Sequence, residues 1–210
     1  MTKTRFHEDP YCWQFMAEVI KTGDNFIVLN ETYFYPEGGG QTGDQGQIGP
    51  DKILNTKEVD GEVKHFTEST SSVSAGQEVN CELDWNTRFN TMRLHSLAHM
   101  IYLAFLAVAG KAKVIGSTAT KEKCRVDLAY FGEINLERIT EIVRKMIQDG
   151  LEIKTWEDDK KPGFRWWQIK GYQPIPCGGT HIRNTTEIGQ FALSLKSLGK
   201  QGIRLYGTLD

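Results

Sequence analysis

His95-Ser-Leu-Ala-His99 sets two imidazoles at positions i and i+4. On a helix of 3.6 residues per turn this spacing stacks both rings on one face, with nitrogens able to converge on one ion. The glutamate that completes a metalloprotease pattern is absent, because Ser96 follows His95. Far downstream, Cys177-Gly-Gly-Thr-His181 places a thiol and an imidazole around two glycines, with Pro174 and Pro176 stiffening the entry. Taken singly, either motif is also explained by unrelated buried side chains. Together they hold three of the five histidines in the chain and point to one cation site. Borderline-soft nitrogen and sulfur donors favour zinc there over magnesium or calcium.

The elements that must position these motifs change character near residue 86. Before it, Phe26-Ile-Val-Leu, Gln47-Ile, Lys52-Ile-Leu, Val63-Lys-His-Phe and Val79-Asn-Cys-Glu-Leu are short runs of β-formers broken by Gly, Asn and Asp. Asp60-Gly61 reads as a two-residue hairpin turn, and 69–76 as a polar loop. Short antiparallel strands of this kind predict a small barrel. After it, Phe89, Met92, Leu97, Ile101 and Leu106 mark a helix over 86–109 that Gly110 ends. A strand (124–131), a second helix (136–148, ended by Gly150) and a strand (151–156) follow. Then come a Pro/Gly/Trp-rich segment around 162–167 and tail strands near 189–196 and 202–209. The fold class expected is α+β: a β-barrel domain over 1–85 and an α+β domain over 86–210 that carries the metal site.

Composition narrows the function classes. With 39% hydrophobic and 10% aromatic residues in 210, the chain is no disordered tail. Its longest apolar run, 100–110, is half of the ~20 residues that span a bilayer, and its first residues lack the apolar stretch of a signal peptide. The four cysteines are widely spaced with no CxxC pair, so reduced thiols and a cytoplasmic location are expected. Net charge is −2, but it is split. Residues 1–85 hold 6 Lys and Arg against 15 Asp and Glu, for −9; residues 86–210 hold 19 against 12, for +7. Any polyanion should meet the second part.

Two further features stand out. Pro36-Glu-Gly-Gly-Gly-Gln-Thr-Gly-Asp-Gln-Gly46 lacks the Gly-Lys-Ser/Thr of a P-loop and the GxGxxG spacing. It reads equally as a tight turn in the barrel or as backbone left bare for a substrate. Basic residues form two groups: Lys111, Lys113, Lys121, Lys123 and Arg125, and Lys160, Lys161, Arg165 and Lys170 beside Trp166 and Trp167. Cations with flat rings suit a nucleic-acid backbone with unstacked bases, although for either group taken alone solvated surface over core tryptophans is the commoner explanation.

Taken in order, these motifs resemble the alanyl-tRNA editing family, AlaX, which is similar to the editing domain of alanyl-tRNA synthetase. Thr32-Tyr-Phe-Tyr-Pro-Glu-Gly-Gly-Gly-Gln-Thr-Gly-Asp-Gln-Gly46 looks like the family's TxFYxxxGGQxxDxG segment. His95-Ser-Leu-Ala-His99 matches HxxxH, and Cys177-Gly-Gly-Thr-His181 matches CGGTH. Gly116-Ser117, Arg125-Val-Asp127 and Gly202-Ile-Arg204 are weaker echoes, and the likeness covers nearly the whole chain, as in the medium-length free-standing form.

The resemblance implies a hydrolase that acts in trans, without ATP, on tRNA(Ala) charged with the wrong amino acid. Ser-tRNA(Ala) is the chief substrate and Gly-tRNA(Ala) the second. It implies one Zn2+ per chain on His95, His99, Cys177 and His181, with activated water as the attacking group and no further catalytic side chain assigned. Because bare backbone permits close approach, Gly38, Gly39, Gly40 and Gln41 of the signature are expected at the substrate pocket, with Ser117 and Thr118. With tRNA as the polyanion, the basic residues Lys111, Lys113, Lys160, Lys161, Arg165 and Lys170 are the ones expected to meet it on charge. No membrane partner is expected. One departure is Val114, where the synthetase domain carries Gln two residues before its Gly-Ser pair; Ser117 and Thr118 are the nearby hydroxyls. The rivals are an editing hydrolase of the threonyl-tRNA synthetase type and a tRNA-binding protein with a structural zinc.

Overall fold

In the computed structural model, which describes residues 2–69 and 71–210, Asp60 and Gly61 turn the chain with φ of 56° and 75°. This is the doubly positive pair of a two-residue hairpin. It joins β6 to β7 in a unit whose strands are β1 (Lys3–Thr4), β2 (Gln14–Gly23), β3 (Phe26–Leu29), β4 (Glu31–Thr32), β5 (Gly46–Ile48), β6 (Asp51–Val59), β7 (Glu62–Thr67) and β8 (Glu78–Leu83). Six of them close a barrel in the order β2-β3-β7-β6-β5-β8, while β1 and β4 pair in parallel beside it. Inward-pointing Ala17, Val19, Ile27, Leu29, Ile48, Ile53, Val79 and Leu83 fill the lumen. The polar loop expected over 69–76 contains Thr70, and the expected N-terminal reading contains Met1; both lie outside the described residues. Within that loop Ser71 and Ser72 are held by the Asp51 carboxylate.

Two polar devices are buried in this unit. Asp44 and Arg88 form an ion pair with side chains 3% and 0% exposed. The guanidinium also donates to Pro10 O (2.8 Å) and Tyr33 O (2.5 Å), and Asp44 Oδ2 accepts from Tyr35 N. Each charge is therefore satisfied, which a buried pair requires. His65 is fully buried, with Nδ1 3.0 Å from Ile27 O and Nε2 2.9 Å from Thr32 Oγ1. A carbonyl only accepts, so Nδ1 carries the proton and Nε2 accepts from the Thr32 hydroxyl.

The chain divides into two compact units between Phe89 and Asn90. The boundary falls inside α1 (Trp85–Ala109), which starts where the Asp84 carboxylate accepts from Thr87 N and Thr87 Oγ1. Gly110, at φ 78°, ends it. By length and composition alone α1 is long and apolar enough to cross a membrane, with mean hydropathy 1.4, yet 61% of that stretch is buried inside the protein. Met92, Leu94, Leu97, Met100, Ile101 and Phe105 are all buried, as in a core helix.

The second unit continues with β9 (Lys113–Ala119), β10 (Lys123–Ala129), α2 (Leu136–Gln148), β11 (Ile153–Glu157), β12 (Arg165–Ile169), β13 (Ile175–Pro176), β14 (Phe191–Ser197) and β15 (Ile203–Leu209). A four-stranded sheet runs β14-β15-β10-β9, and a three-stranded one runs β11-β12-β13. Gly207 on β15 is needed by packing: a Cβ there falls 2.9 Å from Leu97 Cδ2 and Cys124 Sγ, so α1 lies close on this sheet. The architecture is α+β. The Pro/Gly/Trp-rich segment is more regular than expected, since Arg165–Ile169 forms the middle strand of the smaller sheet.

Candidate metal centre

α1 carries His95 and His99 with ring centroids 5.1 Å apart and nearly parallel, as the i, i+4 spacing requires. The other two donors arrive from β13. Its register, Trp166 with Pro176 and Trp167 with Ile175, and the bond from Cys177 N to Arg165 O (2.9 Å) set the start of the Cys177–His181 turn. The end of that turn is braced as well. Glu187 Oε1 accepts from Arg183 N and Asn184 N, Thr185 Oγ1 donates to Met146 O on α2, and Arg93 Nε of α1 donates to Glu187 O.

The result is a cluster of His95, His99, Cys177 and His181 whose ligand atoms all lie within 4.8 Å of one another. Cys177 Sγ is 3.4 Å from His95 Nε2 and 3.2 Å from His181 Nε2. A tetrahedral zinc with bonds of about 2.0–2.3 Å separates its donor atoms by roughly 3.3–3.8 Å. His99 Nε2 is buried with no hydrogen-bond partner among the described residues. An orphaned lone pair among three other donors is what a resident cation relieves, so the residues present fit a metal ion.

Electrostatics agree. Burial pushes the Cys177 thiol up to about 11 and the His95 imidazole down to about 4. Burial, then His95 beside it, lowers His99 well below the usual range. The pocket disfavours net charge on any single donor, and a divalent cation compensates a thiolate directly.

Three further residues support the cluster, of which only Trp167 lies outside the two motifs. Ser96 is fully buried with Oγ 3.0 Å from His181 Nδ1. Because His181 Nε2 faces Cys177, Nδ1–H donates to the Ser96 hydroxyl and fixes the tautomer. Trp167, also fully buried, stacks on His99 at 4.6 Å, and its indole N–H has no acceptor among the described residues. Gly179 N lies 3.5 Å from Cys177 Sγ; neither Gly178 nor Gly179 has a positive φ.

The other residues singled out from sequence are distributed over both units. Ser117 and Thr118 are on β9, Ser117 exposed and Thr118 Oγ1 accepting from Arg125 Nε (3.0 Å). Lys111 and Lys113 are exposed before and at the start of β9. Lys160, Lys161, Arg165 and Lys170 lie on or beside β12, with Arg165 3.7 Å from Glu157.

In the barrel unit, Gly38 and Gln41 exchange both backbone hydrogen bonds (3.1 and 2.9 Å) around Gly39 and Gly40, at φ 59° and 85°. Gly39 and Gly40 are exposed and Gln41 is buried. Gly43 differs: a Cβ there falls 2.2 Å from Thr56 O. All four cysteines are free thiols.

Comparison with known proteins accounts for both units. Residues 7–87 match the family described as tRNA synthetases class II (A), and 168–206 match the threonyl and alanyl tRNA synthetase second additional domain. The alanyl-tRNA editing protein AlaX-M of Pyrococcus horikoshii is 34% identical over 98% of this chain and 96% of its own length. The alanine–tRNA ligases of Methanococcus aeolicus (33% identity, 90% of this chain) and Aeropyrum pernix (30%, 96%) are also similar. The chain spans only about a quarter of each ligase, 23% and 25%.

Proposed function

Because the chain belongs to the alanyl-tRNA editing family AlaX, we propose that it deacylates mischarged tRNA(Ala) in trans, releasing free amino acid and tRNA. Ser-tRNA(Ala) is the chief substrate in this reading and Gly-tRNA(Ala) the second. The observation that carries it is the convergence of His95, His99, Cys177 and His181 within 4.8 Å, in a chain matched almost end to end by an editing protein. A synthetase pocket sized for alanine rejects serine weakly, because an added hydroxyl costs little discrimination. A second, hydrolytic site corrects the error. The reaction is an ester hydrolysis, needs no ATP, and belongs in the cytoplasm with its substrate.

The four side chains would hold one zinc ion, which when bound supplies Lewis acidity to the ester carbonyl and to water. The chain's own residues do the positioning. Ser96 keeps His181 in the tautomer that turns Nε2 inward, and Trp167 covers His99 and keeps bulk water off its ring. The Trp167 N–H is buried and meets no acceptor among the described residues. We assign Gly38, Gly39, Gly40, Gln41, Ser117 and Thr118 to aminoacyl selection. Lys111, Lys113, Lys160, Lys161, Arg165 and Lys170 go to the tRNA backbone, where neutralising phosphates makes affinity fall with salt.

The test is to incubate the protein with Ser-, Gly- and Ala-tRNA(Ala) and with Ser-tRNA(Thr), and to follow release of each amino acid. Release from Ser-tRNA(Ala) above all others supports the reading. Preference for Ser-tRNA(Thr) moves the protein to the threonyl type, and no release from any makes it a tRNA binder with a structural metal.

A further inference from the structure

The four-stranded sheet has two unlike faces. Side chains alternate along a strand and paired residues share a face. Cys124, Val126, Leu205 and Gly207 therefore lie on the side that meets Leu97 and Ile101 of α1. Lys123, Arg125 and Asp127 of β10 lie on the other, with Tyr206 and Arg204 of β15 opposite Arg125 and Asp127, and Lys196 of β14 opposite Arg204. These residues give the face four cations and one carboxylate.

Its centre is preorganised. Arg204 grips Asp127 with two bonds, Nε to Oδ1 at 2.6 Å and NH2 to Oδ2 at 2.8 Å. Arg125 NH1 reaches Oδ2 at 3.1 Å and its Nε donates to Thr118. Arg204 NH1 donates to the Tyr206 hydroxyl at 3.2 Å, and that bond pulls the phenol's pKa down. Gly116 lies opposite Asp127 on β9; a Cβ there falls 3.2 Å from Oδ2, so the bare strand leaves the carboxylate room to lie between the two guanidiniums. One carboxylate cannot neutralise two guanidiniums, whose side chains are still 34% (Arg125) and 22% (Arg204) exposed. Lys123 and Lys196 are exposed on either side, and Lys123 Nζ sits 5.6 Å from the Tyr206 ring.

We propose that this face of the four-stranded sheet is a docking surface for the sugar-phosphate backbone of RNA, and that it grips the tRNA substrate away from the metal centre. Guanidiniums held flat and pre-aimed match phosphate oxygens two at a time and lose little side-chain entropy on binding. Flexible lysines beside them add charge at the rim, and the Tyr206 ring offers a flat surface to a sugar or base. Of the four cations, only Lys123 and Arg125 belong to a basic group visible in the sequence. Lys196 and Arg204 join them through the β14-β15-β10 pairing. In naming the RNA as the tRNA substrate, the proposal rests on the editing reading above; the phosphate grip itself does not.

The experiment measures binding of uncharged tRNA(Ala) to the full-length, zinc-loaded protein at several salt concentrations. The variants are Lys123→Glu/Lys196→Glu and the milder Lys123→Gln/Lys196→Gln. The expected result is a dissociation constant raised about tenfold or more in the charge reversal. The log–log salt slope should become shallower by about 2, roughly one for each phosphate that is no longer neutralised. The Gln pair should fall between it and the wild type, with zinc content and melting temperature unchanged in both. Unchanged affinity and slope overturn the proposal. So does a wild type that self-associates through this face, shown by a variant that becomes monomeric yet binds tRNA as before. If the slope changes as expected while Ser-tRNA(Ala) is not hydrolysed, the RNA-binding face stands and the editing reading fails.

Discussion

Two sets of buried histidines differ in how far the protein itself satisfies them. In the barrel, His65 spends both ring nitrogens on its own chain, Nδ1 on Ile27 O and Nε2 on Thr32 Oγ1. In the second unit, His181 sets Nδ1 against Ser96 Oγ and turns Nε2 to the Cys177 sulfur. His99 Nε2 finds no hydrogen-bond partner among the described residues. A histidine saturated by neutral partners is a packing element. One whose outward nitrogen is fixed by a hydroxyl, so that the other faces a sulfur and two more imidazoles, is a ligand in waiting.

The comparison breaks most visibly on metal content. His95→Ala, His99→Ala and Cys177→Ala should each weaken zinc binding by more than about a hundredfold, since even the loss of a supporting hydrogen bond costs about 10–100-fold. His65→Ala should keep one zinc per chain while lowering stability. Metal analysis after dialysis against a graded chelator checks both sides. Full zinc in the three ligand variants, or its loss in His65→Ala, removes the distinction.

His65 also sets the next expectation. Burial holds its folded-state pKa down to about 4, against an ordinary value of 6.5. The unfolded chain thus binds the extra proton first as pH falls. The neutral ring's contribution is complete above pH ~6.5 and is lost progressively as pH drops towards 4, about 3 kcal/mol for a shift of this size. Urea unfolding of the wild type and of His65→Gln at stepped pH between 7 and 4 reads it out. The difference between the two proteins should shrink on acidification, and a constant difference refutes the assignment.

Local chemistry made the ends of elements legible. Gly110 and Gly150 stop the helices where expected, α2 runs Leu136–Gln148 with Asn135 as its cap, and Asp60-Gly61 turns the hairpin. β2 carries no strand signal in the sequence because its outward side chains include Met16 and Ile20, 50% and 39% exposed, which erase the apolar-polar alternation. β9 carries none because Val114 and Ile115 are exposed and Gly116 interrupts it. The four side chains that converge were readable as two spaced motifs. Their supports were not: Trp167 reaches His99 only through the register of β12 with β11 and β13. Ser96 gains meaning only when a turn 85 residues away folds onto it.

Ser96 sharpens the same contrast at a smaller scale. Ser96→Ala removes the acceptor for His181 Nδ1–H without touching a ligand. Zinc affinity should fall by about 10–100-fold, while the melting temperature of the zinc-free protein stays close to wild type. A purely structural serine would lower that melting temperature and leave the zinc dissociation constant unmoved.

The smallest effect belongs to the glycine-rich turn, where the signature itself divides into packing and surface. Thr32 and Asp44 are consumed by His65 and Arg88, and Gly43 sits where a Cβ meets Thr56 O at 2.2 Å. At Gly39 the nearest atom to an added Cβ is Tyr35 Oη, 3.9 Å away, so only its φ of 59° resists a side chain. Gly39→Leu should therefore cost about 1–2 kcal/mol of backbone strain and keep both the fold and the zinc. Gly43→Ala should destabilise the barrel by more and leave substrate choice alone. If Gly39 helps select the aminoacyl group, Gly39→Leu shifts the ratio of Ser-tRNA(Ala) to Ala-tRNA(Ala) hydrolysis. Both variants are measured for that ratio and for melting temperature. A lowered melting temperature in Gly39→Leu with an unchanged ratio returns the whole glycine-rich segment to the barrel's packing and ends its assignment to selection.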